Sequence, residues 1–162
     1  MLAPETARAD AHPSLLYNHG KVLMELGRMQ AAAGLLHRAV QTAPDHAEAW
    51  FELGRTAVAL EDFATAFTGF SHALELAPND ADSRRNLGRV ALRLGRYDAA
   101  RAAWSPLHGD AEADLALYRV ATETGDPSAT AQRRDLLARH PDRAAVIRTL
   151  VRVSKGAIPL NL

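Results

Sequence analysis

Apolar and polar residues follow one another along this chain with a helical period, in amphipathic runs of about 13–15 residues separated by two or three turn residues. The runs come in pairs, at 14–27 and 29–43, 46–60 and 63–77, and 80–94 and 97–105. The pairs repeat every 34 residues. Gly54 is matched by Gly20 and Gly88, Ala66 by Ala32 and Ala100, and Phe70 by Leu36 and Trp104. Leu53 is matched by Leu87, with His19 at the first copy's position, while Ala73 is matched by Ala39 and Pro78 by Pro44. The turn tripeptide Leu26-Gly27-Arg28 returns as Leu94-Gly95-Arg96, with Leu60-Glu61-Asp62 between them.

Local chemistry supports the same divisions. Asp45 with Glu48, and Asn79 with Asp82, read as helix starts of the D-x-x-E kind. Pro44 and Pro78 fall where a helix must have ended, because proline lacks the N–H that the helix needs. The unit is a helix–turn–helix with a 34-residue period. Residues 47–80 resemble the tetratricopeptide repeat closely, through Trp50, Leu53, Gly54, Ala66, Phe70, Ala73 and Pro78; Ala57 stands where that family usually has an aromatic residue. The first copy, 13–46, matches at Gly20, Ala32, Ala39 and Pro44, and the third at Leu87, Gly88 and Ala100. The resemblance implies an all-α, right-handed solenoid of antiparallel helix pairs whose concave face takes up extended or helical peptides.

After Trp104 the register slips. Pro106 should end or kink the second helix of the third pair, and His108-Gly109-Asp110 reads as a stop followed by a new cap. A degenerate fourth pair is expected near 111–123 and 127–139, closed by His140-Pro141. The expected division is a flexible segment 1–12, a solenoid 13–153 with repeats near 13–46, 47–80, 81–110 and 111–141, a capping helix 142–153, and an apolar tail 154–162. The capping helix carries Val146, Ile147, Leu150 and Val151 on one face, which an open-ended solenoid needs covered at its terminus.

Composition narrows the function classes. Nineteen basic and nineteen acidic residues balance, which argues against a general nucleic-acid binder, and no apolar run is long enough to insert into a membrane. With no cysteine there is no disulfide, thiolate metal site or cysteine nucleophile. Lys21 and Lys155 are the only lysines, and that arginine-rich usage points to a GC-rich bacterial source. A cytoplasmic location is the simplest expectation, as no secretory leader pattern opens the sequence.

No phosphate-binding glycine loop or nucleophile elbow occurs, and the seven histidines show no metal-ligand spacing. The expectation is a non-catalytic protein without metal or cofactor. The candidate site is instead a ladder on the first helix of each pair: Tyr17, Phe51 and Arg85; then Asn18, Glu52 and Asn86; then Lys21, Arg55 and Arg89. The cationic row lies four residues after the first row and three after the second, so it shares one stripe of the helix with both. Asparagines can bond a peptide backbone in both directions, the cations can meet carboxylates, and the rings can anchor apolar side chains. Pairing of Glu52 with Arg55 and of Asp82 with Arg89 on a wet surface is the competing reading. The set with which some family members clamp the C-terminal carboxylate of chaperones is not matched, because Tyr17, Glu52 and Lys21 replace its residues.

Three functions are compatible with these features. The first is a scaffold binding a peptide or helical segment of a partner protein in its groove. The second is the N-terminal regulatory or substrate-recruiting domain of a larger bacterial enzyme, such as a glycosyltransferase, sulfotransferase or hydroxylase. The third is a self-assembling protein, forming a homo-oligomer through the C-terminal helix or tail.

Overall fold

The structure, a computed structural model, describes residues 11–140 and position 148. The capping helix and the tail expected at the C-terminal end, and residues 1–10, lie outside the described residues apart from that one position. Eight α-helices make up the described part: α1 Pro13–Glu25, α2 Met29–Thr42, α3 Ala47–Ala59, α4 Phe63–Leu76, α5 Ala81–Arg93, α6 Tyr97–Trp104, α7 Ala111–Glu123 and α8 Ala129–Arg139. A 3₁₀ turn, Ser105–Leu107, follows α6. The helical pairs expected from the sequence are thus present, and Pro106 does end α6 after eight residues, where α2 and α4 have fourteen.

Two starts differ from expectation by one residue. The α3 cap is His46, not Asp45, and its Nδ1 accepts the Ala49 amide at 3.3 Å. At α5 the carboxylate of Asp80, not Asn79, accepts the amides of Asp82 and Ser83 and the Ser83 hydroxyl. An aspartate is the stronger acceptor, and Asp80 stands directly before the first helical residue. Asp62 caps α4 through the Thr65 amide and hydroxyl, and Asp110 caps α7 through the Glu112 amide. At the start of the described residues, Ala11 is buried and His12 caps α1.

The turns within pairs share one geometry. The amide of Arg28 reaches back to the Leu23 carbonyl, and Asp62, Arg96 and Asp126 do the same to Ala57, Ala91 and Ala121. This closure needs a left-handed residue just past the helix. Gly27, Gly95 and Gly125 supply it at φ 72°, 68° and 68°, but in the second pair Glu61 is forced to φ 58°.

The chain divides into two compact units, residues 1–83 and 84–162. In the first, Leu16, Leu36, Ala39, Val40, Ala49 and Leu53 form a core against which Tyr17, Leu35 and Trp50 pack. The Trp50 indole N–H donates to the Pro44 carbonyl at 2.8 Å, and its ring stacks on His72. Two of the repeat's signature residues are thereby tied to each other. The interior glycines are explained by the same packing. A Cβ on Gly54 would lie 2.8–3.0 Å from three atoms of the buried Phe70 ring, and one on Gly20 would meet Leu36. Opposite Gly54, a Cβ on Gly69 would strike the Trp50 carbonyl and the Gly54 backbone, so α3 and α4 approach glycine to glycine. In the second unit Gly88 makes the same allowance for Trp104, which is fully buried.

Candidate functional site

In the first unit an open cleft of about 310 Å³ lies beside α3, between residues of α1, α4 and the start of α5. Of the nine ladder residues it is lined by Tyr17, Phe51 and Glu52; Glu48, Asp80, Asp82 and Ser83 complete its polar wall. Tyr17 and Phe51 are half-buried, presenting part of each ring. The Tyr17 ring stacks at 4.7 Å on the His46 imidazole, and Phe51 meets the Phe70 ring edge-on at 5.6 Å. Both rings are held by core neighbours, so their exposed faces are fixed in place before any partner arrives.

The cationic row of the ladder is engaged within the chain. Lys21 sets its ammonium 5.4 Å from the centre of the Tyr17 ring, a cation–π contact. Arg55 holds both oxygens of Glu52, at 3.0 and 3.3 Å; the carboxylate is buried while the guanidinium is half exposed. Asn18 is exposed on α1. In the second unit Arg89 makes a two-pronged pair with Glu112 of α7, at 2.6 and 2.7 Å. Arg85 donates to Asp110 at 3.2 Å, and Asn86 is half-buried on the same helix. The two arginines thus fasten α5 to the start of α7.

Among the described residues the cleft's lining includes four carboxylates, Glu48, Glu52, Asp80 and Asp82, of which Glu52 is paired with Arg55. Asp80 is raised by burial but lowered further by the Ser83 hydroxyl and amide and the Asp82 amide, leaving it below the usual carboxylate value. It is therefore ionised at neutral pH. Among the described residues no group of three or more potential ligands is arranged to hold a metal ion. The same residues include no helix long and apolar enough to cross a membrane.

Comparison with known proteins places this architecture. Two family models, each described as tetratricopeptide repeat, match residues 17–81 and 70–102, together more than half of the chain. No curated protein sequence matches. Among solved structures, YrrB, described as a TPR protein with an unusual peptide-binding site, superposes with a TM-score of 0.70 at 19% identity, covering 88% of this chain and 77% of that one. MamA superposes at 0.66 with 23% identity, over 82% and 81% of the two chains. PilF of Pseudomonas aeruginosa does so at 0.63 with 20% identity, over 86% and 66%. At such identities the likeness is one of fold.

Proposed function

Since the chain belongs to the tetratricopeptide repeat family, we propose that it is a non-catalytic interaction module that binds a peptide segment of a partner protein in the cleft of its first unit. One observation carries this reading: Tyr17 and Phe51, from two successive repeats, present pre-positioned ring faces in one cleft whose polar wall is acidic. A ring face and a carboxylate both favour a cation, the first through its quadrupole and the second through charge. Lys21 over Tyr17 shows that contact already made within the chain. The partner segment we propose therefore carries an apolar side chain for the rings and a basic residue for the wall. Arg55, Asn18 and Lys21 flank the cleft as secondary contacts. The peptide-binding site described for YrrB supports a peptide as the kind of partner.

The test uses two fluorescein-labelled twelve-residue peptides with the same leucine and phenylalanine positions, one carrying lysines and the other glutamates. Anisotropy titrations should show the lysine peptide binding and Phe51→Ala weakening it at least tenfold. Equal binding of both peptides, or binding indifferent to Phe51, would count against the assignment.

A further inference from the structure

A peptide that is basic and apolar at once has a counterpart in this sequence. Residues 143–162 carry Arg143, Arg148, Arg152 and Lys155 and no acidic residue. The chain as a whole is neutral, so residues 1–142 carry an equal excess of carboxylates. Charge is therefore segregated along the chain, and the acidic cleft lies in one part while the basic stretch lies in the other.

Residues 152–162 lie outside the described residues, and their sequence meets both demands of the cleft. Gly156 and Pro159 are poor helix formers and favour an extended chain. Alternate residues of an extended chain face the same way, which gives Ile158, Leu160 and Leu162 one apolar edge. Arg152 and Lys155 precede that edge and are the segment's only charged side chains. Residues 1–10 also lie outside the described part, but they carry Glu5 and Asp10 against the single Arg8 and lack this pattern. The cleft offers the complement: half-buried rings of Tyr17 and Phe51 beside Glu48, Asp80 and Asp82, with Glu52 already held by Arg55.

We propose that residues 152–162 of a second copy of this chain occupy the cleft, so that the protein associates with itself. The inference rests on the reading of the cleft as a site for a basic, apolar peptide. The cleft belongs to the first two repeats and the segment follows the fourth pair, so the two are not neighbours along the chain and a second copy supplies the segment. Ile158 and Leu160 meet the rings, and Lys155 meets the carboxylates of Glu48 and Asp82. Such an interface is heterologous, because each copy offers one segment and one cleft.

Sedimentation equilibrium of the full chain at low salt, over a wide range of concentration, tests this. The average mass should rise with concentration. Glu48→Lys, at a side chain 73% exposed, should weaken the association about tenfold, and so should Arg152→Glu combined with Lys155→Glu. Mixing the two variants is the sharper test. The first keeps a working segment and the second a working cleft, so an equimolar mixture should recover a one-to-one pair that neither forms alone. A parent chain that stays monomeric, association that neither variant weakens, or a mixture that stays monomeric overturns the proposal. The lysine peptide, titrated into the Arg152→Glu, Lys155→Glu chain, separates this from the cleft reading. Binding there by a chain that never associates overturns only the second copy as occupant, whereas no binding overturns the cleft reading as well.

Discussion

Gly54→Ala isolates the contact that recurs in the first three helix pairs. The added methyl would sit 2.8 Å from Phe70 Cε1, 2.9 Å from Cδ1 and 3.0 Å from Cζ, about 0.7 Å inside normal carbon–carbon contact along one whole ring edge. Phe70 is fully buried, and Gly69 beside it is packed on the α3 backbone, so neither ring nor helix can retreat freely. Overpacking of this kind costs about 1–3 kcal/mol, while replacing a mid-helix glycine returns about 1 kcal/mol. The net expectation is a loss of roughly 1–2 kcal/mol, read by urea denaturation followed by circular dichroism. Phe70→Leu recreates the Gly20–Leu36 arrangement of the first pair, and in that background the same alanine should cost less. A double-mutant cycle therefore predicts a coupling of about 1 kcal/mol. Equal or greater stability of Gly54→Ala, or strict additivity with Phe70→Leu, would refute the steric account. Gly88→Ala should be worse than either of its counterparts, since its Cβ would run into the Trp104 indole nitrogen.

Other expectations follow from single features. Glu61→Gly removes a left-handed non-glycine residue whose conformation costs about 1–2 kcal/mol, partly offset by glycine's freer unfolded state. The variant should gain about 0.5–1 kcal/mol in the same denaturation assay, whereas Gly27→Ala should lose stability. Arg89→Ala breaks the two-pronged pair with Glu112 and should cost roughly 1 kcal/mol, an effect that shrinks at high salt because both groups are partly exposed. For Asp114, burial pushes the carboxyl up, but the Gly109 amide and the imidazoles of His140 and His108 outweigh it and hold the group below its ordinary value. A depressed pKa gives stability that is complete above the unfolded value, near pH 3.9, and is lost as pH falls through the folded value. Asp114→Asn should therefore be less stable than the parent at pH 7, with the gap closing below pH 4 in pH-dependent melting.

The repeat made most of the fold legible, because a 34-residue period repeats the same packing problem with the same solution. Gly20, Gly54 and Gly88, with Leu36, Phe70 and Trp104 sixteen residues later, could be aligned before their contact was seen. Gly69 could not, since Leu35 and Ala103 occupy its place in the neighbouring copies and no period announces it. The candidate site was legible as a set of positions but not as an electrostatic surface. Helical spacing identifies which residues share a stripe, yet Arg89 and Arg85 find their partners 23 and 25 residues away on another helix. The same holds for His108, Asp114 and His140, which look scattered in sequence and converge only because Pro106 cuts α6 short and turns the chain back.

The cleft proposed for the first unit is a receptor for a basic, apolar peptide. Titrating the lysine peptide into ¹⁵N-labelled protein tests it most directly. Saturable shifts are expected at the amides of Tyr17, Glu48, Phe51, Glu52 and Asp82, with binding that weakens as salt is raised and as Glu48 is changed to Lys. Tighter binding of the glutamate peptide, or shifts that leave Tyr17 and Phe51 unmoved, would contradict it.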